Sequence, residues 1–266
     1  VYVVFDAADT DLHQLIRSPQ PLPPEHARFL TYQILRALKF LHSAGVVHRD
    51  LKPSNVLVDA GGGARLCDLG LARAGAGSNA EGGTFPEYVV TRWYRAPELL
   101  LACGGAAAAA PTLDLWSVGC VLGELLGRKP LFPGRDAAHT LALVLAVTGA
   151  PGAAEAARLA GGAAPAVAAL AAAPCAPADL GRIFPAAPPA ARGLLRALLA
   201  LDPAARPTAA QALAHPWFRG LSDPDDEPAA PAPLPADPEV DAMGAAAVRA
   251  AVFAEMCAAN PALLRA

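Results

Sequence analysis

Two helical patterns with a run of short β fragments between them constrain this 266-residue chain more than any other feature. Pro21, Pro23 and Pro24 lead into a helix from about Glu25 to Ser43, which places Leu30, Ile34, Leu38 and Leu41 on one face. Ala44-Gly45 stops it. A second helix from Thr112 to Leu126 holds Leu115, Val118, Leu122 and Leu125 in phase. Between them, Val46-Val47, Val56-Leu57-Val58 and Arg65-Leu66-Cys67 read as short strands, the last after a Gly61-Gly62-Gly63 turn. Residues 70 to 90 read as a long glycine-rich loop, and loops of that length in a compact domain are usually functional or disordered. Further helices are predicted over about Ala137–Val147, Ala190–Leu201, Thr208–Ala214 and Val240–Cys257. The length allows one large domain or two small ones, and the pattern is overwhelmingly helical with short β hairpins.

Composition removes several classes of function. Hydrophobic residues make up 54% of the chain, but 65 residues are alanine, and no window approaches eighteen strongly apolar positions, so no transmembrane span is expected. A net charge of -3 with 17% charged residues excludes nucleic-acid binding through bulk positive charge. Cys67, Cys103, Cys120, Cys175 and Cys257 are scattered, show no paired metal spacing and suggest a reducing compartment. Residues 149–178 are nearly all Ala, Gly and Pro; alanine propensity allows part of them to be helical, but they offer few bulky anchors and read as a low-complexity insertion. Residues 223 to 239 are acidic and proline-rich, hence extended.

The chemistry concentrates in His48-Arg49-Asp50-Leu51-Lys52-Pro53-Ser54-Asn55, followed by Asp68-Leu69-Gly70. One such acid would read as loop decoration. Two acids, an amide and a lysine at fixed spacing between β fragments form the set that phosphoryl transfer from a nucleotide requires. That reaction needs a carboxylate to orient a hydroxyl, a cation on the γ-phosphate and oxygens for Mg²⁺.

On these residues the chain resembles the hinge and C-terminal lobe of a mitogen-activated protein kinase, a eukaryotic Ser/Thr protein kinase. The resemblance runs from Val1 to about Pro228. It continues through Thr91-Arg92-Trp93-Tyr94-Arg95-Ala96-Pro97-Glu98, Asp114-Leu115-Trp116-Ser117-Val118-Gly119-Cys120 and Leu131-Phe132-Pro133-Gly134. Asp202-Pro203-Ala204-Ala205-Arg206-Pro207 and His215-Pro216-Trp217-Phe218 complete it. It implies a protein-kinase-like fold, mainly the α-helical C-terminal lobe with short β hairpins and most of the N-terminal lobe absent. Residues 1–12 would be the last N-lobe strand and hinge, 13–220 the C-terminal lobe, and 221–266 an acidic docking segment with a C-terminal extension helix.

The same resemblance implies roles. Asp50 would align the substrate hydroxyl and accept its proton, with Thr91 hydrogen-bonded nearby. Lys52 would neutralise the transferring phosphoryl, and Asn55 and Asp68 would hold Mg²⁺ beside ATP; hard oxygen ligands suit that ion. Leu69 replaces the family's usual phenylalanine and remains apolar. Phe5 would be the gatekeeper, although a phenylalanine ending a strand reads locally as core. Asp6 and Ala8 would meet adenine, and Asp11 would face the ribose. His48 would be a scaffold residue, and Asp114 would tie down the catalytic-loop backbone. Glu98 and Arg206 would form a buried ion pair. Arg92 and Arg95 would position a substrate with proline after the target residue, although locally two arginines around Trp93 also fit cation–π packing.

Regulation departs from the family pattern. Tyr88 matches the phosphorylated tyrosine of the activation loop, but the threonine position is Pro86, and Thr84 lies two residues upstream. Phosphothreonine would carry about two negative charges into a group of arginines, of which Arg49 and Arg73 resemble two. The expectation is modification at Tyr88, with Thr84 as a second candidate. Asp223, Asp226 and Glu227 resemble the acidic docking site for basic motifs, although on composition a charge run is a solvated face. The resemblance further implies an upstream dual-specificity kinase, protein substrates and phosphatases as partners, no nucleic acid or membrane, a monomer, and a cytoplasmic and nuclear location. The chain opens inside a strand with no glycine-rich loop, strand lysine or helix glutamate before it, so these 266 residues alone are expected to show negligible transfer. The alternative is a catalytically inactive kinase lobe acting as a docking module.

Overall fold

The computed structural model describes residues 7–74, 92–101, 110–159, 176–234 and 243–259. Short strand β1 (Thr10–Asp11) runs directly into helix α1 (Leu12–Arg17), and Asp11 caps that helix by accepting from the Gln14 N–H. Helix α2 (Pro24–Ser43) begins on the proline turn, with Pro24 and Glu25 in its first turn. Proline loses no helical hydrogen bond at that position. Its inner face buries Leu30, Ile34, Leu35 and Leu38. Strands β2 (Val46–Val47), β3 (Val56–Val58), β4 (Ala64–Leu66) and β5 (Arg73–Ala74) follow.

The strands form two small antiparallel sheets. One has the order β1-β3-β4, with Thr10 opposite Val58 and Val56 opposite Leu66. The other pairs β2 with β5, Val47 lying opposite Arg73. The segment of residues 48–55 therefore leaves one sheet at Val47 and enters the other at Val56. Each end is fixed by backbone hydrogen bonds.

After α3 (Pro97–Leu100), helix α4 (Thr112–Gly127) passes through the middle of the body, with every residue from Leu113 to Leu125 buried. A helix buried on all sides is a core helix. Two glycines let its neighbours approach. A Cβ on Gly119 would lie 2.8 Å from Leu199 Cδ2, and one on Gly123 2.8 Å from Leu131 Cδ2. Helices α5 (Ala137–Thr148), α6 (Ala153–Leu159), α7 (Leu180–Ile183), α8 (Pro189–Leu198) and α9 (Ala209–Leu213) complete the main body, and α10 (Ala245–Ala259) lies near the C-terminus. Helix α2 packs on one side of α4 and α8 on another, while α9 packs on α2.

Several boundaries differ from the sequence pattern for identifiable reasons. The helix expected to reach Leu201 ends at Leu198, and the carbonyls of Ala200 and Leu201 then accept from the Arg206 guanidinium at 2.8 and 3.0 Å. Part of the Ala/Gly/Pro stretch is helical, as alanine propensity allows, and it does supply anchors, since Ala156 and Leu159 of α6 are buried. Pro224–Asp226 forms a 3₁₀ turn, not extended chain. The opening run Val1–Asp6, most of the long loop after Ala74 and residues 160–175 lie outside the described residues. No helix among the described residues is long and apolar enough to cross a membrane.

Candidate active site

The loop of residues 48–55 hangs from α4. Asp114, in the first turn of that helix and 1% exposed, accepts from the backbone N–H groups of His48 and Arg49 with its two oxygens, each at 2.9 Å. His42 Nε2, from the last turn of α2, lies 2.8 Å from the same carboxylate. An ionised carboxylate is purely an acceptor, so three donors around it use most of its capacity. Two consecutive amides on one carboxylate require a sharp backbone turn, and Arg49 adopts φ 68°. That left-handed conformation is uncommon outside glycine.

His48 is fully buried and joins the loop to the chain before Asp68. Its Nδ1 accepts from the Asp50 N–H at 3.3 Å, so the proton sits on Nε2, which donates to the Cys67 carbonyl at 3.1 Å. Cys67 N–H in turn donates to the Asn55 carbonyl at 3.0 Å. These bonds hold the segments carrying Asp50, Asn55 and Asp68 against one another.

Asp50 is the hub of the polar cluster. Its Oδ2 accepts from Lys52 Nζ at 2.7 Å and Asn55 Nδ2 at 3.1 Å, and its carbonyl accepts from the same Asn55 nitrogen at 2.9 Å. Asn55 is 6% exposed. With its nitrogen committed to Asp50, its amide oxygen is the atom left for a hard cation. Asp68 is exposed, takes φ 62° and ψ 71°, and caps the 3₁₀ turn Leu69–Leu71 through Gly70. A buried amide oxygen and an open carboxylate, on segments joined by the Cys67 N–H bond to the Asn55 carbonyl, are hard oxygens of the kind that suits Mg²⁺, which keeps waters or phosphates in its remaining positions.

Beside the loop, a cavity of about 20 Å³ opens between Asp50, Tyr94, Arg95 and Ser117; that is room for about one water. The segment carrying Arg92 and Arg95 is pinned on both sides. Trp93 Nε1 donates to the Gly134 carbonyl at 3.0 Å, Tyr94 hydroxyl to Glu124 at 2.6 Å, and Ser117 Oγ to the Tyr94 carbonyl at 2.9 Å. Burial holds the Glu124 carboxyl above its ordinary range even though the Tyr94 hydrogen bond and the His13 charge pull it down. Below this segment Glu98 and Arg206 form a bidentate pair at 2.6 and 2.7 Å, with the guanidinium 5.1 Å from the centre of the Trp116 ring. Arg49 is pushed below the usual arginine range by burial and then by the charge of Arg73.

The acidic segment divides. Glu227 is buried, with Tyr32 hydroxyl and Ser222 Oγ donating to Oε1 at 3.1 and 2.7 Å and Lys39 Nζ to Oε2 at 3.1 Å. Burial alone would raise its carboxyl, but the hydrogen bonds from Ser222, Lys39 and Tyr32 hold it below the ordinary glutamate range. Its charge is spent inside the protein. Asp226 remains 65% exposed while pairing with Arg36 at 2.8 Å, and exposed Asp223 caps its own turn through the Asp225 N–H.

Ala8 lies half-buried just before β1, and Asp11 is engaged as the α1 cap. Phe5, Asp6, Thr84, Pro86, Tyr88 and Thr91 lie outside the described residues. Sequence reasoning missed His42, Lys39, Tyr32 and the Tyr94–Glu124 pair. Tyr32 and Lys39 stand two helical turns apart on α2, a spacing that puts them on one face. Nothing local marks their partner.

This body, a helical core with short hairpins and a polar loop suspended from its central helix, is that of a protein kinase. The protein kinase domain family model matches residues 1–218, and the chain belongs to that family. Within it the chain is a member of the mitogen-activated protein kinases. It is 44% identical over 261 residues to mitogen-activated protein kinase 6 of Arabidopsis thaliana, covering 98% of this chain and 64% of that relative. It is 43% identical over 261 residues to mitogen-activated protein kinase homolog MMK2 of Medicago sativa, covering 98% and 68%. To extracellular signal-regulated kinase 1 of Dictyostelium discoideum it is 45% identical over 228 residues, covering 86% and 42%. The chain thus spans from about two-fifths to two-thirds of the length of these curated relatives. ATP and Mg²⁺ use is general to the family.

Proposed function

We propose that the chain is the lobe of a mitogen-activated-type protein kinase that receives the substrate hydroxyl and takes part in transferring the γ-phosphate of ATP to Ser or Thr followed by Pro. The observation that carries this reading is the shared Asp50 Oδ2, bonded to both Lys52 and Asn55. In that position Asp50 accepts the hydroxyl proton as the oxygen attacks, and Lys52 offsets charge on the moving phosphoryl. Asn55 and Asp68 would hold Mg²⁺, which supplies charge neutralisation between phosphate oxygens. The family resemblance assigns Phe5, Asp6, Ala8 and Asp11 to the nucleotide side, Thr91 to the support of Asp50, and Arg92 and Arg95 to substrate positioning. Residues 1–12, 13–220 and 221–266 are assigned to the hinge, the lobe, and the docking and extension segment.

Regulation falls on Tyr88 and Thr84, with Pro86 at the position of the family's threonine. Exposed Asp223 and Asp226 receive basic motifs of an upstream dual-specificity kinase, substrates and phosphatases, while Glu227 positions their turn. The protein works as a monomer in cytoplasm and nucleus.

The test is γ-phosphate transfer to a Ser-Pro peptide, alongside binding of a basic docking peptide. Transfer is read with this lobe within a longer chain that also carries a glycine-rich loop and its strand lysine, since these 266 residues alone are expected to transfer negligibly. Transfer that falls by about 10³-fold in Asp50→Asn supports the enzyme. Because the acidic turn rests on its own contacts with α2, a docking module without turnover is the second reading. Peptide binding with no transfer supports it.

A further inference from the structure

Ser222 has no part in the roles assigned above. Its Oγ donates to Glu227 Oε1 at 2.7 Å, beside Tyr32 on that oxygen and Lys39 on the other. Asp223 follows it directly, and Asp225 and Asp226 lie three and four residues on, all exposed. Ser222 itself is half-buried at the edge of the short 3₁₀ turn Pro224–Asp226. Turns with exposed neighbours open at a fraction of the free energy of global unfolding, which makes such a hydroxyl reachable.

We propose that Ser222 is a phosphoacceptor for an acidophilic protein serine/threonine kinase acting in trans, and that phosphate there detaches the acidic turn from α2. Recognition is electrostatic: a basic substrate groove pairs with the carboxylates on the C-terminal side of the acceptor. In the transfer, Ser222 Oγ bonds to the γ-phosphorus of ATP. The bond from that phosphorus to its bridging oxygen breaks, ADP leaves with the electron pair, and the hydroxyl proton passes to the base of the acting kinase.

The consequence follows from the contacts. A hydroxyl donor becomes a group of about two negative charges with only acceptors facing Glu227. The 2.7 Å hydrogen bond turns into repulsion between like charges. Lys39 carries one positive charge and cannot neutralise both groups, and Arg36, the next cation along α2, is already 2.8 Å from Asp226. Glu227 loses its place against Tyr32 whichever anion Lys39 follows. The inference needs no catalysis by this chain.

The test uses the full chain carrying Asp50→Asn, so that self-transfer does not contribute, with Mg-ATP and a purified acidophilic kinase. Phosphopeptide mapping should place phosphate on Ser222, absent in Ser222→Ala and slowed by about fivefold or more in Asp225→Asn. The amides of Asp226 and Glu227, bonded to the Asp223 and Pro224 carbonyls, should then exchange with solvent about tenfold faster or more, while the α4 amides stay unchanged. No phosphate on Ser222, or phosphate there with unaltered exchange at 226 and 227, overturns the proposal.

Discussion

The catalytic loop and the acidic turn are both loops fastened to a helix by one buried carboxylate, and they are fastened in opposite senses. At the catalytic loop the carboxylate belongs to the helix, and Asp114 takes the backbone N–H groups of His48 and Arg49. At the acidic turn the carboxylate belongs to the loop, and Glu227 takes side chains of α2. Anchoring through backbone fixes φ and ψ whatever side chains the loop carries, which suits a site whose atoms must hold position to fractions of an ångström. Anchoring through side chains can be undone by protonation, substitution or competition.

The sharpest way to break this contrast is Asp114→Ala. It leaves two amides without their acceptor and should cost about 3–5 kcal/mol in urea unfolding, with loss of any transfer activity. Arg206→Ala, read by the same unfolding measurement, strands Glu98 in a site where it is 3% exposed and should cost a similar ~3–5 kcal/mol. Glu227→Ala should cost less, about 1–3 kcal/mol, because Lys39 retains 23% exposure and can turn to water. Its effect should appear as faster amide exchange confined to residues 222–227.

Acid tests the Glu227 anchor without mutation. Glu227 is held below the ordinary glutamate range when folded, so its anchoring is complete above the unfolded value of about 4.3 and is lost as pH falls through the lower folded value. Exchange at Asp226 and Glu227, corrected for intrinsic pH dependence, should rise over that window. The smallest effect belongs to Arg36→Ala. Its pair with Asp226 is largely exposed, and about 0–1 kcal/mol, diminishing with salt, is expected from denaturation at two ionic strengths.

Much of this was legible in the chain itself. Proline at the start of α2 and the phase of Leu30, Ile34 and Leu38 mark a helix by local rules, and Asp50, Lys52 and Asn55 are close in sequence, so their meeting in space is nearly forced. The end of α8 at Leu198 was not legible, because the group that claims the next carbonyls is Arg206, arriving from outside the helix. His42 was missed for the same reason. Its partner Asp114 stands 72 residues away, and no periodicity connects them.

The acidic run shows the division most clearly. Sequence determined that Asp223, Asp225, Asp226 and Glu227 would form a patch of negative charge, since ionisation follows from residue type. Only the tertiary structure decided that Glu227 would turn inward, because Tyr32 and Lys39 reach it from 195 and 188 residues away. Periodicity and turn chemistry are local and can be read along the chain. Whether a charge faces water or a buried donor depends on which distant surface packs against it.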